Sequence, residues 1–431
     1  MPNLILIFVP EMRCLPMKWE WFIAKRLRLS EGGGSGSPSL GIALAGIVLS
    51  VVVMIFSIVI VTGFKNEITG KIYNLDAHIK VSDAYMGDDP KLYNTVNYAE
   101  ISNVIRSDSV FSEKIRNFSL VAEKSAVLKT DNEFKGVILR GADSGYDWTY
   151  LTAHLLQGRV PAANAAQEVI ISKTVASELG VAIGDKLFAY FIGEKVKVRR
   201  PVVVGIFSTD FDAFDDNIIL CDISLLQGVN EWNRDTGNYL AVNMRNLNHL
   251  HQDALQLYSL LATAAYKEDV SAMYNVADTH SYNTSFFSWL GMLDMNVVII
   301  LTLMIIVAMF TLVAALLMII LERIKFIGVI KAQGATNASV RRIFLLLTGK
   351  LIIRALLIGN ALGIGLALVQ QHFHVIRLNP EAYYMPWVPI SINLWAIAAL
   401  NVAVIVVSYV SLIAPSHIIS TIKPTTTLRY E

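Results

Sequence analysis

GIALAGIVLSVVVMIFSIVIVT, residues 41–62, carries no charge and is long enough to cross a bilayer as one helix. A lipid interior asks for roughly 20 consecutive apolar residues in helical form, because it offers no partner to an open backbone group. Outward from this stretch, three more runs meet the same demand, at residues 295–321, 345–369 and 392–414, but only after a long, mostly polar interval. The run at 295–321 exceeds the lipid thickness, which predicts tilt or extension. The run at 345–369 contains Lys350 and Arg354 near its start, where long basic side chains reach the interface. The last run stops at Pro415. This spacing predicts an α-helical membrane protein with four transmembrane helices and a large α+β extracytoplasmic (periplasmic) domain inserted between helices 1 and 2.

Basic residues in the short flanks set the orientation. Lys18, Lys25, Arg26 and Arg28 precede the first run; Arg323, Lys325, Lys331, Arg341 and Arg342 fill the second connection; Lys423 and Arg429 lie in the tail. Only Arg377 sits in the connection between the third and fourth runs. Both termini are therefore expected in the cytoplasm. The expected divisions are a cytoplasmic N-terminal segment with an interfacial helix (1–40), helix 1 (41–63), the periplasmic domain (64–290) and helix 2 (291–321). A cytoplasmic coupling segment (322–344), helix 3 (345–369), a periplasmic loop (370–391), helix 4 (392–414) and a cytoplasmic tail (415–431) follow. Tyr383, Tyr384, Trp387 and Trp395 fall where an aromatic belt would face the outer interface.

Composition agrees: the chain is 54% hydrophobic with a formal charge of +1, so it has no basic field suited to nucleic acid. Cys14 and Cys221 fall on opposite sides of the membrane in this topology and cannot pair; Cys14, preceded by Glu-Met-Arg, lacks the surroundings of a lipid-attachment site. The apolar stretch 4–9 is too short for a signal peptide and is closed by Pro10 and Glu11, so translation is expected to start at Met17 rather than Met1. Just after it, residues 19–27 place Trp19, Phe22 and Ile23 on one side and Lys18, Lys25 and Arg26 near the other. That pattern reads either as a helix lying on the cytoplasmic leaflet or as a generic basic flank. A flexible EGGGSGSPS link follows at 31–39.

Within the inserted domain, residues 78–83, 124–130, 134–141, 168–172, 195–207 and 217–223 read as short strands. Residues 173–179 and 247–264 have helical periodicity. A division into two subdomains is expected. No catalytic constellation stands out. Asp210, Asp212, Asp215 and Asp216 lack the spacing of a calcium loop and read as a solvated turn; His372 and His374 have no third ligand nearby, and no GxxxxGK[ST] loop exists.

LERIKFIGVIKAQGATNASVRRIFLL, residues 321–346, is the part built for a task. Its first half makes a short helix exposing charges beside Phe326, Ile327 and Ile330; Gly334 permits a tight turn, and Thr336 or Asn337 can cap the next helix. Apolar anchors at this spacing suit a groove on a partner protein or the membrane surface, and spacing alone leaves both open.

ERIKFIGVIKAQGAT resembles the coupling segment of FtsX-like ABC transporter permeases, whose E-R-x-x-x-I-G-x-x-K-A-x-G-A pattern docks on the ATPase. Glu322, Arg323, Ile327, Gly328, Lys331, Ala332, Gly334 and Ala335 fall on it, with Lys325 between them. FIAKRL, IALAGIVLSVVVMI, VTGFKNEITGKI, HIKV and the closing LRYE are similar to the lipoprotein-releasing (Lol) type, as are GVILRGAD, LLQGR, EVIISKTVASELGVAIGDKL and VVVGIFSTDFDAFDDNIILCDI in the inserted domain. Some members of that type carry a long hook that recruits a soluble carrier. The corresponding stretch here, residues 190–201, is short, so the chain resembles the hookless subunit or a homodimeric version.

The resemblance implies a non-catalytic permease subunit of the bacterial inner membrane. ATP and magnesium would sit on a separate ATPase chain, with no cofactor in this one. It implies a second permease copy or paralogue, a lipoprotein substrate, contact with membrane lipid and, as a further partner, a periplasmic carrier. Acyl chains would enter a cavity walled by the first two helices, with Val52, Ile55, Phe56 and Val59 as wall residues unless ordinary helix packing claims them. Two rival readings are mechanotransmission, driving an exporter or a cell-wall hydrolase, and a membrane-anchored receptor or scaffold without an ATPase.

Overall fold

The run at 41–62 lies inside a helix, Pro38–Leu75, nearly twice its length. The computed structural model describes residues 18–26, 38–84, 95–131, 133–193 and 195–417. Met1, Cys14, Met17, most of the link at 31–39, and Lys423 and Arg429 of the tail lie outside the described residues. The link's last two residues already belong to the helix, with Pro38 at its start, where a missing N–H costs nothing.

Four helices among the described residues are long and apolar enough to cross a membrane. The first three span 38, 39 and 37 residues, as Pro38–Leu75, Thr284–Glu322 and Asn337–Phe373; the fourth, Leu394–Ser416, spans 23. At a rise of about 1.5 Å per residue the long ones reach roughly 55 Å, well beyond a hydrocarbon layer of about 30 Å. The first continues past residue 63 because Ile68, Ile72 and Leu75 keep a helical stripe buried through a polar stretch that contains no proline.

The chain divides into two compact units, one of them comprising Met1–Phe64, Met292–Val375 and Pro389–Glu431. Its core draws Ile47, Val51 and Met54 from the first helix, Leu312 and Leu316 from the second, Phe344 and Leu351 from the third, and Leu400 and Val404 from the fourth. Close approach is bought with small residues. A Cβ on Gly359 would stand 2.8 Å from Val51, and one on Gly363 would stand 3.0 Å from Ile55, so the first and third helices meet along this pair. The third and fourth are joined by reciprocal amide bonds: Asn360 Nδ2 donates to Asn401 Oδ1 at 2.7 Å, and Asn401 Nδ2 donates back at 3.0 Å.

The other unit, Lys65–Gly291 with Ile376–Val388, is organised by one 11-stranded sheet. Its order runs Tyr274–Asp278, Ile79–Asp83, Tyr239–Met244, Ile115–Lys129, Phe134–Ala142, Ile218–Asp222, Glu168–Ser172, Val202–Phe207, Leu155–Gly158. The hairpin Phe188–Phe191 with Lys197–Arg199 adds to Ile115–Lys129. Phe134–Ala142 pairs parallel with Ile218–Asp222, and Glu168–Ser172 with Val202–Phe207; the other pairs are antiparallel. The expected split into two subdomains is corrected, since strands from both ends of the insertion pair side by side in one sheet over one core.

The expected single strand at 195–207 is broken at Pro201, which lacks a donor for the ladder. Helix Lys173–Leu179 is capped by Ser172, whose hydroxyl accepts from Val175 N, and closed by Gly180 at φ 65°. The residues read as helical at 247–264 form Leu250–Tyr266. On the strand Phe134–Ala142, Arg140 is buried; it donates to Glu123 at 2.6 Å and to the Leu75 carbonyl at 3.0 Å, and stands 3.7 Å from Asp76. Burial pushes the Asp76 carboxyl up, but Arg140 and Lys80 outweigh it and hold the group below its usual range.

The aspartates at 210–216 do not form a solvated turn. Phe211, Phe214 and Asp215 are buried, because the two aromatic rings carry the short helix Asp212–Asp215 into the domain. Asp215 accepts from Thr209 N at 2.9 Å and from Thr209 Oγ1 at 2.6 Å.

Candidate functional site

The second spanning helix ends at Glu322, where Arg323 leaves helical geometry at φ −115° and ψ 23°. A short helix, Ile324–Ala332, then starts and is closed by a two-bond cap: Ala335 N donates to Ile330 O at 3.1 Å, and Gly334 N donates to Lys331 O at 3.0 Å. That cap places Gly334 at φ 94°, a conformation glycine adopts without a steric penalty. Thr336 Oγ1 accepts from Ser339 N at 3.2 Å and opens the third spanning helix at Asn337. The product is a helical hairpin with a defined inner and outer face.

The inner face holds Ile327, Gly328 and Ile330, all buried, with Phe326 and Ala335 packed beside them. This corrects the expectation that Phe326, Ile327 and Ile330 are offered as anchors: they fasten the hairpin to its own unit. The outer face carries Lys325, Val329 and Ala332 at helical spacing, continued by Gln333 and Gly334, all exposed. Val329, 43% exposed at the centre of this face, is an exposed apolar residue that periodicity did not single out, because its neighbours are equally apolar. Of the remaining residues read from sequence, Glu322 is exposed while Arg323, Lys331 and Ala335 are half-buried. Burial pulls the Lys331 ammonium below its usual range.

Against the third spanning helix lies a second element, the N-terminal helix Lys18–Arg26. Its packed side is Glu20 and Ala24; Lys350 donates to the Ala24 carbonyl, and Arg342 stands 3.8 Å from the Glu20 carboxylate. Lys350, expected near the start of its helix, instead lies well inside Asn337–Phe373, because the helix begins before the apolar run does, and it reaches a backbone acceptor within the protein. Trp21 and Phe22 are about half exposed on the opposite side, as a helix resting on a membrane surface requires. The sequence signal for Glu20 was its place among aromatics, which a charge count passes over.

The lipid-wall expectation is corrected at two of its four positions. Ile55 and Val59 are fully buried in the helices' own core, Ile55 because it fills the space opposite Gly363. Val52 and Phe56 are half-buried. The larger apolar surface belongs to the second spanning helix, where Ile299, Leu303, Ile306 and Phe310 are exposed at alternating spacings of four, three and four. Among the described residues no group of three or more His, Cys, Asp or Glu side chains comes together to hold a metal ion.

The family description MacB-like periplasmic core domain matches residues 40–256, and FtsX-like permease C-terminal matches residues 298–424. The chain is 23% identical over 437 residues to the lipoprotein-releasing system transmembrane protein LolC of Neisseria meningitidis serogroup B, covering 95% of this chain and 99% of that one. It is 21% identical over 417 residues to LolC of Xylella fastidiosa, covering 90% and 93%. The crystal structure of the extracellular domain of noncanonic ABC-type transporter YknZ from Gram-positive bacteria aligns with 46% of this chain and 100% of its own length, at 16% identity and a TM-score of 0.33. With its inserted domain matched by the first description and its membrane half by the second, the chain belongs to the FtsX-like ABC transporter permease family, as a multi-pass inner-membrane protein similar to the Lol permeases.

Proposed function

We propose that this chain is the permease subunit of an ABC transporter that extracts lipoproteins from the inner membrane, powered by ATP hydrolysis on a separate chain. The observation that carries the reading is the outer face of the hairpin, where Lys325, Val329 and Ala332 stand on a helix fastened from behind by Ile327 and Ile330. An exposed helix face of this kind, fastened from behind, fits a groove on an ATPase. The likeness to LolC along nearly the whole length supports the substrate class. In this reading both termini and the hairpin lie in the cytoplasm, ATP and magnesium bind the partner, and no nucleotide chemistry occurs here.

Moving an acyl chain out of the bilayer costs roughly 0.8 kcal/mol per methylene, so lipid-anchored substrates do not leave unaided. Closure of two ATPases would press on two hairpins in a pair of permeases, and the apolar stripe Ile299, Leu303, Ile306 and Phe310 is available to wall the cavity in which the anchor is squeezed outward. Val52 and Phe56 can contribute to that wall. The short hairpin Phe188–Phe191 with Lys197–Arg199 supports the hookless or homodimeric form, with a carrier met by other means.

A second reading, mechanotransmission to an exporter or a cell-wall hydrolase, is favoured by the first two helices, which run 38 and 39 residues and outlast the lipid. Proteoliposomes holding the purified complex and a radiolabelled triacylated lipoprotein separate the two. Release on adding ATP, absent with a non-hydrolysable analogue, is the expected result; ATP turnover with no lipoprotein released would favour mechanotransmission.

A further inference from the structure

Lys71 lies on the outer extension of the first spanning helix and is 6% exposed. Its ammonium donates to three backbone carbonyls: Thr209 O at 2.7 Å, Asp210 O at 3.1 Å and Tyr384 O at 2.7 Å. These are all the donors an ammonium has. The acceptors come from two segments far apart in sequence, the turn after strand Val202–Phe207 and the connection between the third and fourth spanning helices. Both segments carry a non-glycine residue in the left-handed region, Asp210 at φ 51° and Tyr384 at φ 60°. Such backbone persists where its surroundings hold it. Here Asp215 grips Thr209, and the Phe211 ring lies 5.4 Å from that of Tyr384 and 5.6 Å from that of Phe286. Glu67, Asp210, Asp212 and Asp215 supply the compensating negative charge.

The placement of Tyr384 gives this cluster its meaning. Ile376–Val388 packs as part of the inserted unit, whereas the residues on either side of it, up to Val375 and from Pro389, belong to the membrane unit. We propose that Lys71 is a positioning residue of the transport cycle, a latch that binds the connection between helices 3 and 4 to the first helix and to the turn at 209–211, so that the three segments move as one body. This rests on the permease reading and gives the connection a hold inside the inserted unit, through its backbone at Tyr384. Lysine is required because three carbonyls converge on one nitrogen; the planar fork of arginine cannot aim a single nitrogen at all three.

The test is hydrogen exchange on the full chain in nanodiscs, followed by ATP hydrolysis and release assays on the purified complex, for Lys71→Met and Lys71→Arg. Both variants are expected to raise exchange at 376–388 and 208–212 about tenfold or more while the strands Ile115–Lys129 and Phe134–Ala142 keep their protection. ATP turnover should persist, with about tenfold more ATP consumed per substrate released, a readout that a merely structural role would not move. Unchanged protection at 376–388 overturns the latch. So does loosening of the whole sheet, which would make Lys71 a fold-stabilising residue only. Should neither variant accumulate in the membrane, Phe211→Leu, which weakens the aromatic contacts to the same connection, is expected to raise exchange at 376–388, and no change there likewise overturns the latch. Exchange requires neither ATP nor substrate, so it reads the latch even if wild-type complex releases no lipoprotein, an outcome that would refute the substrate class alone.

Discussion

Gly334 has open space where a Cβ would stand, so its requirement is conformational: at φ 94° any side chain strains the backbone that closes the hairpin. Gly334→Ala should cost about 1 kcal/mol locally and fray the cap. The expected outcome is normal membrane accumulation and ATP hydrolysis with reduced transport, measured as release per ATP; wild-type coupling would remove the glycine's assigned role. Asp215 makes a different kind of residue-level prediction. Burial, with Asp210 and Asp212 adding and the Thr209 hydrogen bonds opposing, pushes its carboxyl from 3.8 up to about 6. The folded protein then holds this proton more tightly than the unfolded chain does. Its contribution to stability therefore falls as pH rises from about 4 to about 6, and the penalty is complete above that. Asp215→Asn should flatten this slope, worth about 2–3 kcal/mol, in thermal unfolding of the purified chain across pH 4–7; an unchanged slope would contradict the assignment. Residue roles of this sort were the least legible in the sequence. Ile55 and Val59 sit in a helix apolar on all sides, which has no amphipathic phase to say which side faces the protein.

At the scale of elements, each spanning helix was legible as a run of apolar residues, but its ends were not. Polarity marks where lipid stops, while a helix stops only where its backbone bonding does, so residues 64–75 read as domain and fold as helix. The cytoplasmic-side expectation aside, the hairpin after the second spanning helix was legible because its stop and start signals, Gly334 and Thr336, are local. Its faces were not, since Ile327, Val329 and Ile330 are alike in hydrophobicity and only packing distinguishes them. That difference predicts opposite phenotypes for neighbouring substitutions. Val329→Asp should leave the protein folded and inserted while abolishing co-purification of the ATPase. Ile327→Asp, which buries a charge, should lower the amount of protein itself by destabilising it several kcal/mol. Loss of protein from both, or loss of ATPase from neither, would remove the outer face from the partner interface.

For the whole molecule, the insertion of a domain after the first span followed from the spacing of apolar runs alone. Sheet order did not. Ile79–Asp83 pairs with both Tyr239–Met244 and Tyr274–Asp278, contacts that span most of the insertion and leave no short-range trace. Docking of Ile376–Val388 in the inserted unit was equally hidden, because the carbonyls that Lys71 holds belong to the backbone and have no signature in residue type. The molecule combines a unit organised by an 11-stranded sheet with three spanning helices of 37 to 39 residues, the second of which is followed in sequence by a capped hairpin. The most direct measurement of its central role is depletion of this chain in cells, followed by separation of inner and outer membranes and quantification of lipoproteins in each. Accumulation of lipoproteins in the inner membrane is the predicted result; unaltered sorting, with changed drug tolerance or cell-wall turnover, would contradict lipoprotein release and point to mechanotransmission.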